Sequence, residues 1–209
     1  MKRLCLATIL VLVLAGAAAA AGVGFGVKGG LNMANLHGTD AENLDWKPGF
    51  AAGAFAEIAL TPVVSLQPEV LYVMNGASES FLGIEIDFNL DYIQVPVLVK
   101  FDLPVAGTIV PTLYAGPYVG FLMGAEVEAS YQGESESMDV KDYTKSMDYG
   151  LSFGAAIDVN LAAATLIFEG RYNYGLTTID DGWAEALEEE NVELDIKNHS
   201  IMFMVGVGF

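Results

Sequence analysis

The residues best suited to catalysis are His37 and His199, the only two histidines in the chain. Histidine is the usual general base near neutral pH, and a hydrolase or acyltransferase would need one beside a nucleophile. His199 precedes Ser200, but adjacent strand residues point to opposite faces, so a pairing with Asp180 or Asp181 is the alternative. Because the sequence has neither a G-x-S-x-G nor an H-E-x-x-H motif, we expect no catalytic residues.

Acidic residues are concentrated in two stretches, 126–148 and 178–197. Clustered carboxylates suit Ca²⁺, and the weak candidates for ligands are Asp181, Glu188 and Glu189. No stretch has the complete EF-hand pattern, so a solvated surface is the simpler interpretation. We therefore expect no metal site and no cofactor.

A further group of charged residues, three basic and three acidic, lies inside stretches that are otherwise apolar or small. Such residues could form ion pairs, or a path for protons or ions, if the fold brings them together away from water. They are Lys28, Glu57, Glu69, Lys100, Glu169 and Arg171.

The composition combines an apolar character with strong negative charge. Of the 209 residues, 53% are hydrophobic and only 17% are charged, against roughly 25% in ordinary soluble domains, yet the net charge is −18. The high apolar content excludes a disordered chain, and the acidic balance argues against nucleic-acid binding, which needs a basic face. The length predicts one domain.

The first 21 residues have the pattern of a secretory signal peptide. A basic start, Met1 to Arg3, precedes an apolar run from Leu4 to Leu14 and a small-residue stretch from Ala17 to Ala21. We expect cleavage near Ala21, which leaves residues 22–209 as one domain; an uncleaved membrane anchor is the alternative. The single cysteine, Cys5, would be removed with the signal, so the mature chain could form no disulfide.

Apolar residues alternate with small or polar ones over most of the remaining chain, which is typical of half-buried strands. An even number of antiparallel strands can close into a barrel. Eight alternating runs occur, at 23–33, 49–60, 63–75, 90–101, 111–125, 149–160, 165–177 and 200–209. Three of the predicted strands contain prolines that should produce local bulges, because proline lacks the ladder N–H: Pro68, Pro96 and Pro117.

The connections between these runs alternate in length. Short turns on the periplasmic side and long external loops are typical of outer-membrane barrels. We therefore predict an all-β fold, an eight-stranded antiparallel up-and-down transmembrane β-barrel. The long connections are 34–48, 76–89, 126–148 and 178–197, and the short ones are 61–62, 102–109 and 161–164.

The apolar face of each strand is expected to contact lipid. The opposite face is rich in glycine, alanine and serine, which suit the crowded interior of a narrow barrel. Aromatic residues near the predicted strand ends would form interfacial girdles. The last strand resembles the C-terminal assembly signal of outer-membrane proteins, through Ile201, Phe203, Val205, Val207 and Phe209. A soluble lipocalin-like carrier, with its apolar face inward, is the alternative.

The alternation places the six charged residues named above, three basic and three acidic, on the small-residue face of their strands. A lysine or arginine on the lipid face costs about 2–4 kcal/mol at the membrane midplane. We therefore predict a lumenal ion-pair network that joins Lys28, Lys100 and Arg171 to Glu57, Glu69 and Glu169. An eight-stranded barrel is just wide enough for side chains, so a packed polar core is favoured over a conducting path.

Several segments together resemble the PorT-type outer-membrane β-barrel family. The more specific ones are Q-P-E-V-L-Y at 67–72 and Y-I-Q-V-P at 92–96; glycine-rich or aromatic pieces lie at 26–32, 115–118 and 171–176. The resemblance covers essentially the whole mature chain. It implies an eight-stranded barrel in the outer membrane of a Gram-negative-type bacterium, but no single activity.

The function expected from the sequence is a non-enzymatic structural or interaction role through acidic external loops. The expected partners are outer-membrane lipid, the barrel-assembly machinery, and divalent cations or an envelope protein at the loops, with no nucleic acid. A narrow ion channel and a hydrolase or acyltransferase at the barrel rim are the alternatives within a membrane barrel.

Overall fold

The computed structural model describes residues 23–39, 41, 44–81, 83–132, 134–182 and 194–209. The predicted signal peptide at 1–21 lies outside these residues, as do Glu188 and Glu189. Among the described residues, no helix is both long and apolar enough to cross a membrane.

Within these described ranges the regular elements are nine β-strands and one turn of 3₁₀ helix, Lys141–Tyr143. The strands are β1 Val23–His37, β2 Lys47–Thr61, β3 Val64–Phe81, β4 Ile84–Asp102, β5 Ile109–Tyr131, β6 Glu134–Asp139, β7 Met147–Asn160, β8 Thr165–Gly175 and β9 Lys197–Gly208.

Eight of these strands close into a ring. Their order is β4-β3-β2-β1-β9-β8-β7-β5, and a further antiparallel pairing of β4 with β5 completes the circle. Strand β6 is not part of the ring, because among the described residues it pairs with the last six residues of β5 alone, 126–131. The predicted eight-stranded antiparallel barrel is therefore confirmed.

The apolar faces of the strands point outward. On β7, Tyr149, Leu151 and Phe153 are exposed, while Gly150 and Ser152 between them are buried. The outward residues include Leu31, 65% exposed, whereas charged and amide side chains are buried in the interior. The soluble carrier with an apolar interior is therefore the wrong alternative.

The strand pairs β3–β4 and β4–β5 extend well beyond the length that crosses a membrane, about 9–11 residues. Strand β4 has 19 residues and β5 has 23. The predicted connection at 76–89 is wrong, because β3 and β4 remain paired as far as Phe81 and Ile84. Acidic residues on the solvent face of this hairpin gave the segment a loop-like composition, although Ile84, Ile86 and Phe88 keep the period of two.

The predicted bulges at the prolines are also wrong. Pairing around Pro68, Pro96 and Pro117 keeps the same register on both sides. The structure shows register shifts elsewhere, between Ala59 and Thr61 on β2 and between Asp91 and Tyr92 on β4. A missing N–H removes a hydrogen bond from the ladder, whereas a bulge requires an extra residue on one strand.

Candidate functional site

The centre of the lumen contains four charged side chains from three strands. Arg171 on β8 lies 2.8 Å from Glu69 and 2.6 Å from Glu169, and Lys28 on β1 lies 2.7 Å from each of the same carboxylates. All four side chains are at most 3% exposed. The two positive and two negative charges balance, so this central cluster (Lys28, Glu69, Glu169, Arg171) needs no counterion.

Two neutral side chains also donate hydrogen bonds to the central cluster. Tyr114 donates its hydroxyl to Glu169 at 2.8 Å, and Gln67 donates to Glu69 at 2.6 Å. Tyr114 was not predicted, although it shares a face with Gly116. Space for its ring is provided by Gly154, where a Cβ would lie 2.5 Å from the Tyr114 hydroxyl.

The other two predicted residues lie apart from the central cluster, near the short turns. Lys100 contacts Glu57 at 2.7 Å and Asp158 at 3.3 Å. The structure therefore arranges the six predicted residues in two groups rather than one network. Asp158 was missed, although it lies on the small-residue face of β7. Glu57, Asp102 and Asp158 border a cavity of about 250 Å³ at this end of the barrel.

Amides and hydroxyls occupy the lumen on the other side of the central cluster. Asn32 donates to Asn75 at 3.0 Å. Farther toward the long connections, Asp148 accepts hydrogen bonds from Tyr118 at 3.1 Å and from Asn198 at 3.2 Å. Polar side chains thus share this part of the interior with a buried apolar cluster that includes Leu71, Val73 and Met202.

An apolar cluster covers the barrel at the end with the long connections, which we call the outer end. Strand residues from the barrel wall and residues from the outer connections pack together there. Asp180 accepts a hydrogen bond from the Leu194 N–H at 3.1 Å, and Thr178 donates to the Leu194 carbonyl at 2.6 Å, so the described ends of this connection are joined to each other. The cluster includes Leu36, Leu90, Tyr92, Leu122, Val140, Ile179 and Ile196.

The two histidines lie on the outward face near the outer end, within a group of aromatic rings. Their ring centroids are 5.1 Å apart; His37 stacks on Tyr174 at 4.5 Å, and His199 meets the edge of Trp46 at 4.8 Å. The alternative pairing of His199 with Asp180 or Asp181 does not form, and the Asp180 carboxylate accepts a hydrogen bond from the Leu194 N–H instead. Across the described ranges, no carboxylate hydrogen-bonds to His199.

The extended parts of β3, β4, β5 and β6 form a sheet outside the barrel, which we call the acidic outer sheet (76–81, 84–89, 126–131 and 134–139). On its outward face, Asp87 is paired across the strands with Glu128, and Glu126 with Asp139. Like charges directly opposite each other destabilise a sheet. Glu85 also lies on this face.

One lysine partly offsets these charges. Lys47 lies 2.6 Å from Asp87. Burial alone would raise the pKa of Asp87, but the hydrogen bonds and charge of Lys47, together with Ser78, hold this pKa below its ordinary value. In the described part of the chain, no ion pair links a lysine or arginine to Glu85, Glu126 or Glu128.

A metal site is not formed by the part of the chain that the structure describes. No group of three or more histidine, cysteine or acidic side chains is arranged there to hold an ion. Asp181 is described, whereas the other two weak candidates, Glu188 and Glu189, are not.

The residues of the predicted assembly signal alternate along β9. Phe203, Val205 and Phe209 are exposed on the outer surface, while Met202 and Met204 face inward and are buried. Phe209 exchanges two backbone hydrogen bonds with Phe25, of 2.8 and 3.1 Å, which fastens the end of β9 to β1. Ile201 and Val207 are partly exposed at the intervening positions of the same face.

Solved structures of other barrels share this architecture. Neisserial surface protein A is 14% identical, with a TM-score of 0.51 over 88% of this chain and 95% of that protein. A major outer membrane protein from Thermus thermophilus is 10% identical, with a TM-score of 0.52 over 90% of this chain and 98% of the other. At these identities the likeness shows the fold alone. No curated protein matches the chain significantly.

A family model identifies the chain at the sequence level. The model of the outer membrane protein beta-barrel domain matches residues 17–181, which is most of the sequence. Together with the closed ring, the outward apolar face and the polar interior, this match assigns the protein to the outer membrane. The chain belongs to the outer membrane protein beta-barrel domain family.

Proposed function

We propose that this protein is a non-enzymatic outer-membrane barrel that contacts a cationic partner through its acidic outer sheet. The observation that carries the proposal is the cross-strand pairing of carboxylates on the outward face, Asp87 with Glu128 and Glu126 with Asp139. Such pairs are unfavourable by themselves, and a bound positive group would relieve them.

The filled lumen supports an interaction role over transport. The central cluster is neutral and buried, and the apolar cluster covers the outer end. Breaking the central ion pairs to open a path would leave buried charges unpaired, which costs several kcal/mol. This cost argues against the narrow-channel alternative.

The arrangement of the histidines argues against an enzyme at the rim. Both rings lie in an aromatic group on the outward face, where they resemble an interfacial girdle more than a catalytic dyad. A general base needs a nucleophile within hydrogen-bond distance, and the contacts of His37 and His199 are with aromatic rings.

The proposal includes two further partners, outer-membrane lipid and the barrel-assembly machinery. Lipid would cover the outward apolar face, and the alternating residues of β9 would be recognised by the barrel-assembly machinery. The resemblance of the 67–72 and 92–96 segments to the PorT-type family supports a role in the bacterial envelope. It does not specify the partner.

A binding experiment with matched variants tests the proposal. The detergent-folded barrel is titrated into a fluorescent lysine-rich peptide, and anisotropy is recorded. We expect the triple variant Glu126→Gln, Glu128→Gln, Asp139→Asn to lose most of the binding. The control Glu79→Gln, Glu134→Gln, Glu136→Gln changes the net charge equally but on the opposite face. Equal binding by both variants and the unmodified protein would overturn the proposal.

A further inference from the structure

Strand β6 leaves one edge of the acidic outer sheet open. All six of its residues, Glu134–Asp139, are exposed. Within the described residues, β6 pairs with β5 alone and is the last strand in the sheet order. An open strand edge presents unpaired N–H and C=O groups to which another extended segment can pair.

The register shows which backbone groups face this open edge. In an antiparallel pair, residues alternate between those that bond to the neighbouring strand and those that point away from it. The Val140 N–H donates to the Ala125 carbonyl at 3.0 Å, so Met138, Glu136 and Glu134 bond to β5 by the same alternation. The backbone groups of the intervening residues therefore point to the open edge: Ser135, Ser137 and Asp139.

We propose that β6 binds an extended, lysine- or arginine-bearing segment of a partner protein as an additional β-strand. This inference rests on the proposed function and specifies its partner. Glu134 and Glu136 lie on one face of β6, and Asp139 lies on the other. A strand added at the edge would place alternate side chains beside the outward face, so basic residues on that face would meet Asp139 and, one strand farther, Glu126 and Glu128.

The negative charge of β6 disfavours pairing with acidic segments or with a second copy of the same strand. Natural edges are commonly protected by proline, lysine or bulges, and β6 contains none of these. Its protection is negative charge, which repels a second copy of the same strand and any acidic segment. A basic segment is attracted by the same charges, and pairing through the backbone adds hydrogen bonds to that attraction.

The test separates backbone pairing from charge attraction. The probe is a six-residue peptide, the length of β6, with lysine at alternate positions. A second peptide has the same sequence but carries N-methyl groups on the amides that would face β6. The protein variant Ser137→Pro removes an N–H at the open edge that β5 does not use, and Ser137→Ala is its control. Because β6 is outside the ring, both variants should fold.

Strand addition predicts a specific set of results. The unmodified peptide should slow hydrogen exchange at Ser135, Ser137 and Asp139. Ser137→Pro should weaken binding about tenfold, as should N-methylation, because each removes backbone hydrogen bonds, whereas Ser137→Ala should have little effect. Equal binding of both peptides, or full binding by Ser137→Pro, would overturn strand addition but leave charge-based binding intact. If neither peptide binds, the proposed function is overturned as well.

Discussion

Arg171 and Glu69 are 102 residues apart in the sequence, yet two hydrogen bonds of 2.8 and 2.9 Å join them inside the barrel. Their strands, β8 and β3, are not neighbours in the sheet, because β2, β1 and β9 lie between them. The contact therefore crosses the lumen and connects separate parts of the wall. Neither side chain is exposed.

Removal of this arginine should strongly destabilise the barrel. Arg171→Met keeps a long side chain but leaves Glu69 and Glu169 with Lys28 as their one basic partner. Leaving a buried charge uncompensated costs about 3–5 kcal/mol, and we expect a loss of this size in the free energy of unfolding. Urea titration of the protein in lipid vesicles, followed by tryptophan fluorescence, measures it.

The matched control is an ion pair near the surface. Lys47→Ala breaks the contact with Asp87, which lies outside the lumen. It should reduce the free energy of unfolding by about 1 kcal/mol or less. Similar losses for Arg171→Met and Lys47→Ala would show that the central cluster does not stabilise the barrel as we describe.

Substitution of Gly30 should disturb the contact between β1 and β9. A Cβ at this position would clash with the Phe203 carbonyl oxygen and lie 2.7 Å from the Met204 Cα, both of which are backbone atoms. Forcing extra volume into a packed site costs about 1–3 kcal/mol, so Gly30→Ala should reduce stability by that amount. Gly124→Ala is the control, because nothing lies within 4 Å of a Cβ there. Unfolding at the same urea concentration for the two variants would contradict the packing described for β1.

Acid should weaken the attachment of the outer sheet to β2. The pKa of Asp87 is lowered in the folded protein, so its pairing with Lys47 stabilises the fold fully above the ordinary value of 3.8. That stabilisation is lost as the pH falls through the lowered pKa. Hydrogen exchange at the Ser78 amide, which bonds to the Asp45 carbonyl, should accelerate at such a pH relative to Asp87→Asn. If the ratio of the exchange rate in the unmodified protein to that in Asp87→Asn is the same at every pH, this linkage is refuted.

Calcium should not bind tightly to the acidic residues. Among the described residues, no group of three or more histidine, cysteine or acidic side chains is arranged to hold an ion. Tight Ca²⁺ sites need six to eight oxygen ligands around one point. Calorimetric titration of the folded barrel should show no saturable heat with a dissociation constant below about 1 mM. A saturable signal that Asp181→Asn removes would instead support the weak metal candidate.

The sequence predicted the barrel because its period of two continues through all eight ring strands. The membrane cost of a charged side chain likewise predicted that Lys28, Glu69 and Arg171 would face the lumen, where the structure has them. The division into two clusters was not predictable from alternation, because the pattern gives the face of a residue but not its height in a tilted barrel.

Other features were missed for local physical reasons. Tyr114 and Tyr118 fill the lumen opposite Gly154 and Gly150, an arrangement that depends on cross-strand register and not on either strand alone. The extension of β3 and β4 was hidden because a strand outside the membrane carries acidic residues on its solvent face. Composition therefore suggested a loop where Ile84 and Phe88 still alternate.

The most direct test of the account is a conductance measurement on the purified, folded barrel in a planar lipid bilayer. The central claim is that side chains fill the lumen and that the protein acts through its outer surface. We predict no stable current steps under applied voltage, because the central cluster and the apolar cluster at the outer end close the barrel. Reproducible steps in the nanosiemens range would contradict the claim and make the protein a channel.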